Sequence, residues 1–333
     1  MLKATEQEKR LLKQSASTNR QVALAAQDKI AKALELPLRQ GVQPGDIVTS
    51  IYEQVEAIGQ TTVEYPLHYM SPGMESEFVA FTVPSFGYIP ERHIQGDYVN
   101  IPVFYIAGSI DWDIRYARNA NWDVVSDAAE NLRMQFVKKT NDDGWHTILA
   151  AAFNRNIIVA DSDAAAGEFS VRLVSLLKTV MRRNGGCNSS SVNRSILTDL
   201  YISVEAEADI RSWNVDMIDE TTRREIFTNP DGTLSRIFSV NLHSLDEFGE
   251  GQEYQTYAVT TLGTTLPTAG NAKLEVAIGL DKSRRRSFVM PVGEEVTIYA
   301  DDTKLRSLQR GLYGTKAHGF AVLDSRSVLF CAI

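Results

Sequence analysis

Five histidines (His68, His93, His146, His243 and His318) are the residues of this 333-residue chain best suited to acid–base or metal chemistry. No two stand at the i, i+4 spacing that aims two rings at one metal, and none has a cysteine or histidine at ligand-motif spacing. Gly185-Gly-Cys187 could hold a nucleophile on a glycine turn. No distinctive Cys/His signature accompanies it, so an inert loop thiol is expected. The acid pairs Asp142-Asp143 and Asp301-Asp302 sit where acids commonly cap and solvate element ends. Arg284-Arg-Arg286 could hold a phosphate or a partner's carboxylate. It leads into the strand-like Ser287–Pro291, where alternate side chains face opposite ways, so a solvated or interfacial run is the expectation. The chain has no phosphate-binding loop, dinucleotide glycine fingerprint or serine elbow. No catalytic residue, metal or cofactor is expected.

Residues of such weak chemistry must be carried by a scaffold with another purpose. The composition is 44% hydrophobic and 23% charged, ordinary globular usage that excludes collagen and wholly disordered chains. Two cysteines, Cys187 and Cys331, rule out a disulfide framework. No apolar run reaches a membrane span, and the amino terminus lacks a secretory apolar core, so no membrane partner is expected. The net charge of −8 is unevenly placed. Residues 1–40 hold eight basic and four acidic groups, which leaves −12 on the remainder. Such a body should not bind polyanions broadly, whereas its basic end could meet an acidic surface.

Residues 3–36 read as helix, with a weak point at Ser15–Asn19 and a stop at Leu36-Pro37. Val22, Ala26, Ile30 and Leu34 form a narrow apolar stripe expected to pack on a neighbouring subunit. Residues 47–58 read as a short helix or strand. Residues 61–116 hold five of the ten prolines among strand-like runs (61–65, 77–83 and 100–106), which predicts a projecting β-arm. Trp122, Val125, Ala129, Leu132 and Phe136 share one helical face over 120–140, with Asn119 or Asn121 as cap. Asn141–Gly144 predicts a break, and Trp145–Phe153 a second helix. Further expectations are a helix over 169–183, a strand over 199–204, a helix over 205–213, and strands at 236–242, 254–262, 274–278, 287–291, 296–299, 319–323 and 327–331.

This order of elements resembles the major capsid protein of tailed bacteriophages, the Hong Kong ninety-seven type fold shared with encapsulins. Tyr116–Phe153 (YARNANWDVVSDAAENLRMQFVKKTNDDGWHTILAAAF) resembles the family's spine helix and its successor. Asp199–Trp213 (DLYISVEAEADIRSW) resembles the central strand and the helix that ends on a buried aromatic. Ala277–Ala300 and Gly319–Ile333 resemble the return into the peripheral domain and the closing strand.

The resemblance implies an α+β chain divided into an amino-terminal arm (1–58), an extended β-loop (59–107), a peripheral domain with the spine helix (108–153 and 281–333) and an axial domain (154–280). It implies a structural virion protein, not an enzyme, that forms pentamers and hexamers of an icosahedral head. The head encloses double-stranded DNA without sequence-specific binding, and assembles in the host cytoplasm. An encapsulin compartment is the same-fold alternative, and a soluble hydrolase the different-class one. Expected partners are the chain itself and a separate scaffold, portal and decoration proteins. The chain starts at its arm, so the family's scaffolding segment is absent, supplied separately or already removed, and Met1 argues against removal. Expected inter-subunit contacts are Val22, Ala26, Ile30 and Leu34, the loop acids Glu64, Glu75, Glu77 and Glu91, and Arg284, Arg285 and Arg286 on a neighbour. Some relatives crosslink a loop lysine to an asparagine; residues 59–107 contain no lysine.

Overall fold

The computed structural model describes residues 6–17, 19–45, 47–67, 97–119, 122–155, 157–161, 163–164, 167–184, 195–214, 216–228, 234–261, 275–283, 287–301 and 309–333. In chain order the elements are α1 (Glu6–Ser15), α2 (Arg20–Gly45), β1 (Glu53–Glu56), β2 (Thr62–Leu67), β3 (Asp97–Pro102), β4 (Phe104–Asp113), α3 (Ile114–Arg118) and α4 (Trp122–Asn154). There follow β5 (Ile158–Val159), α5 (Val171–Asn184), β6 (Asp199–Ile202), α6 (Val204–Ser212), α7 (Glu220–Ile226), β7 (Arg236–Ile237), β8 (Val240–Ser244) and α8 (Glu253–Thr256). The chain ends with β9 (Val276–Leu280), β10 (Phe288–Asp301), β11 (Gln309–His318), β12 (Ala321–Val322) and β13 (Val328–Ala332). Two compact units result. One comprises Met1–Tyr65, Asn100–Gly144 and Val289–Ala321; the other comprises Pro66–Val99, Trp145–Phe288 and Val322–Ile333.

In the first unit the helix break falls at the expected place. The Ser15 hydroxyl donates to the Leu12 carbonyl at the end of α1, and Asn19 Oδ1 accepts the Gln21 N–H to cap α2. The expected stop at Pro37 is not found, since α2 continues to Gly45. A proline biases its predecessor away from helix without forbidding it.

The sheet order is β1-β10-β11-β4, with β12 added on β10. The ten-residue register of β11 against β4 sets Gly314 opposite Gly108. A methyl at Gly108 would lie 2.9 Å from Leu132 Cδ1, and one at Gly314 2.9 Å from Phe136 Cε2. The two glycines thus form a trough into which α4 lowers Leu132 and Phe136, which are 2% and 1% exposed. Leu132 and Phe136 of the predicted apolar face are therefore buried, with Val296, Ile106 and Ile110 completing their seat, while the side chains of Trp122 and Val125 lie outside the described residues.

The expected break at Asn141–Gly144 does not occur, and α4 runs unbroken for 33 residues, about 50 Å. Gly144 is needed for close approach. A Cβ there would fall 2.1 Å from Val48 Cγ1. Around that contact the Val48 N–H donates to Asn141 Oδ1, and the Tyr52 hydroxyl donates to the Gly144 carbonyl. Gly144→Ala should therefore destabilise the chain by about 1–3 kcal/mol, although alanine is the better helix former by ~1 kcal/mol. Val48→Ala in the same chain should recover most of the loss, and urea unfolding of both variants measures it.

In the second unit a six-stranded sheet runs β5-β13-β9-β6-β8-β7. One face carries the main core, where Leu200, Ile202 and Leu242 meet Leu173, Val174 and Leu177 of α5 and Ala206 and Ile210 of α6. Ser203 caps α6 by accepting the Ala206 N–H. Trp213, the expected buried aromatic, donates its indole N–H to the Phe169 carbonyl. The expected strand at 236–242 is a hairpin, with both turn residues, Phe238 and Ser239, at positive φ (48° and 67°), the form that matches strand twist. The expected strand at 254–262 is helical as far as it is described: α8 passes into a π-helical turn at Tyr257–Thr261, with Tyr254 and Ala258 buried one turn apart. The segment 281–333 is divided between the units, because β13 pairs with β9 and β5 inside this sheet.

Candidate assembly surfaces

The helical arm was expected to bury its stripe on a neighbour, and the structure corrects this. Ala26 and Ile30 are 3% and 1% exposed within their own unit. Ile30 joins Leu12, Ala16, Ala31, Trp112, Ile114, Ile298 and Leu312 in one cluster, with Leu34 packed against it. The inner sheet face presents an apolar strip beside the α4 seat, and the α1–α2 hairpin is what covers it. Val22 alone of the four points outward, 42% exposed. Of the predicted contact acids, Glu64 is exposed on β2. Glu75, Glu77, Glu91, Arg284, Arg285 and Arg286 lie outside the described residues.

Two surfaces suit a neighbour. Among the described residues β2 and β3 pair only with each other, as a two-stranded ribbon. Such a ribbon is marginal alone and calls for an external partner. The second surface is the outer face of the four-stranded path. Tyr105, Ala107, Ser109 and Asp111 of β4 are exposed there. Tyr299 and Tyr313 stand opposite one another in register, with rings stacked at 5.2 Å. Exposed tyrosines on a rigid sheet are favourable interface residues, because they bring large area at low entropic cost.

The second unit holds the densest polar cluster, which sequence reading did not single out. Asp199 and Tyr201 of β6 lie opposite Asn241 and His243 of β8, on the sheet face away from the main core. Asp199 Oδ1 is 2.9 Å from His243 Nε2 and 3.4 Å from Lys282 Nζ. Lys282 Nζ also donates to the Tyr201 hydroxyl at 3.0 Å. Burial opposes ionisation of Asp199. Hydrogen bonds from His243 and Thr198, the charge of Lys282 and a bond from Asn241 outweigh it and hold the carboxyl well below the usual range. The His243 ring also stacks on the Tyr201 ring at 4.7 Å, so the cluster is tied together across both strands. Only the i, i+2 recurrence of Asp199-x-Tyr201 and Asn241-x-His243 hints at it in the sequence. Burial pushes the Cys331 thiol up, with the charge of Asp161 adding to the effect. No group of three or more His, Cys, Asp or Glu side chains among the described residues could hold a metal ion. No helix there is long and apolar enough to cross a membrane.

Glu275 has the opposite electrostatic sign to Asp199. It is 5% exposed and accepts the Ser203 hydroxyl at 2.5 Å. Burial raises its pKa; the Ser203 bond works the other way, and the charges of Glu205, Asp209 and Glu250 raise it further. A carboxyl whose folded pKa lies above its unfolded one destabilises the fold once ionised, and the penalty disappears as pH falls below the unfolded value. Glu275→Gln should therefore raise the melting temperature at pH 7–8, and its advantage should shrink on acidification toward pH ~4. Calorimetric melts of the two chains across that range check this.

No protein-family model matches the chain, and no curated protein matches it. Solved structures do. The Cyanophage Pam1 capsid asymmetric unit superposes with a TM-score of 0.60 at 13% identity, over 85% of this chain and 88% of that one. A structure from Microbacterium phage Oxtober96 gives 0.56 at 9% identity, over 87% and 90%. The asymmetric unit of the bacteriophage PhiM1 mature capsid gives 0.53 at 10% identity, over 86% of both chains. The chain has the mixed helix-and-sheet fold of phage capsid subunits.

Proposed function

We propose that the chain is the major capsid protein of a tailed bacteriophage, of Hong Kong ninety-seven type, which assembles into the pentamers and hexamers of an icosahedral head around double-stranded DNA. The observation that carries the reading is the likeness in fold to the Pam1 capsid asymmetric unit, which extends over nearly the whole of both chains. The β2–β3 ribbon supports it, since a ribbon with no further strand partner among the described residues gains stability by lying on another subunit. In this reading residues 59–107 form the extended loop; outside them, the first unit is the peripheral domain with its arm and the second unit is the axial domain, which includes β13. The net charge of −8 limits adhesion to packaged DNA. Scaffold, portal and decoration proteins are the further partners this reading expects.

Expressed alone or with its scaffold, the chain should sediment as large closed particles rather than as a small oligomer. Boiled in denaturant, those particles should run as a single band at 37.0 kDa, because residues 59–107 hold no lysine for a crosslink. Slow-sedimenting species under all conditions would contradict assembly, and a covalent ladder would contradict non-covalent cohesion. Particles that hold enzymes in place of DNA would point to an encapsulin.

A further inference from the structure

Among the described residues Arg310 is a buried cation with no acidic partner. It lies on the inner face of β11 at 3% exposure, and its Nε donates to the Ser15 carbonyl at 2.8 Å. Its Nη1 is buried with no hydrogen-bond partner. The carbonyl end of α1 supplies a partial negative charge, which answers Nε and leaves Nη1 unanswered. Arg118 adds a second positive charge nearby: burial, and then that charge, push the Arg310 guanidinium down from its ordinary range. A guanidinium does not escape by losing its proton, so Nη1 calls for an acceptor, and a negatively charged oxygen answers both the bond and the charge.

Two further orphaned groups lie in the same region. Trp112 stands directly opposite Arg310 in the β4–β11 register, on the same face, and its indole Nε1 is buried without a partner. Gln27 is 1% exposed, and both polar atoms of its amide lack partners. It sits one turn before Ile30 and Ala31, which pack in one cluster with Trp112. Arg310 and Trp112 are thus neighbours on the inner sheet face, and Gln27 lies on the helix face that carries Ile30 and Ala31 onto Trp112. A native interior rarely leaves so many unsatisfied.

We propose that the space between the α1–α2 hairpin and the inner sheet face is an oxyanion site, in which Arg310 Nη1 holds a carboxylate or phosphate oxygen while Trp112 Nε1 and the Gln27 amide serve as neutral donors. The oxygen has two sources, a free anion in the isolated subunit or an aspartate or glutamate of a neighbouring copy in the assembled particle. The site goes beyond the capsid reading, and its first test needs no shell.

Unassembled full-length chain is melted at constant ionic strength in chloride, then with rising inorganic phosphate or acetate. The wild-type melting temperature should climb by about 2–4 °C for each tenfold rise beyond the dissociation constant. Arg310→Met should abolish the climb, and Trp112→Phe, which removes the indole donor together with its five-membered ring, should reduce it. Trp112→Phe also keeps the question open to test should Arg310→Met fail to fold. A flat wild-type response, with Arg310→Met particles that come apart at lower urea although the variant subunit melts normally, assigns the oxygen to a neighbour's carboxylate. Equal anion responses in wild type and both variants, with particles equally resistant to urea, would overturn the site.

Discussion

A chain lacking residues 1–40 should lose its solubility, or fall in stability by more than about 4 kcal/mol. Leu12 and Ile30 are 0% and 1% exposed, and with Ala16 and Ala31 they cover Trp112, Ile114, Ile298 and Leu312. Truncation would uncover the apolar strip of the inner sheet face in one piece. Two buried aliphatic side chains alone account for ~2–5 kcal/mol each, and the uncovered strip would favour aggregation. Urea unfolding and sedimentation velocity measure both effects. A truncated chain as soluble and as stable as the whole one would return the arm to the role its composition first suggested, a segment that folds only on a neighbour.

Phe136→Ala should cost about 3–5 kcal/mol. The ring lies over Gly314, and Leu132 beside it lies over Gly108. Neither glycine has a side chain that could move into the vacated space, so the cavity should stay open and the cost should approach the upper end. The same geometry supplies a control. Gly314→Ala alone should destabilise, since its methyl would meet the ring at 2.9 Å. In the Phe136→Ala background it should be tolerated and recover part of the loss. Denaturant unfolding of the four chains gives the coupling. A strictly additive pair would show that the trough does not seat this ring.

The legible parts of the fold were those where apolar periodicity and burial agree. Leu132 and Phe136 on α4 recur at helical spacing and are buried as expected, and the helix expected over 169–183 is α5, with Val174 and Leu177 buried. The strand β11 escaped notice because its inward residues are Arg310, Leu312, Gly314, Lys316 and His318. A core face that carries two cations, a histidine and a glycine conceals the period of two. Lys316 is accommodated there because its Nζ donates to Thr140 Oγ1 on α4. Gly144 misled for a related reason: composition cannot separate a glycine that ends a helix from one that lets Val48 approach it. Tyr254–Thr261 misled through its β-branched and aromatic residues, which helical spacing of Tyr254 and Ala258 overrides. The arm's stripe was readable, but its partner was not, since a stripe shows that a surface is covered and not by which chain. Of the expected contact residues, the four of the stripe and Glu64 are placed by the structure. The Asp199 cluster and the orphaned Arg310 came into view only through register across strands distant in sequence.

The most direct test of the central claim is cryo-electron microscopy of particles assembled from the expressed chain. The account predicts closed icosahedral shells in which copies of this chain form rings of five and six, with the β2–β3 ribbon of each copy laid against a neighbour. Small monodisperse particles, or open aggregates without five- and sixfold rings, would contradict it.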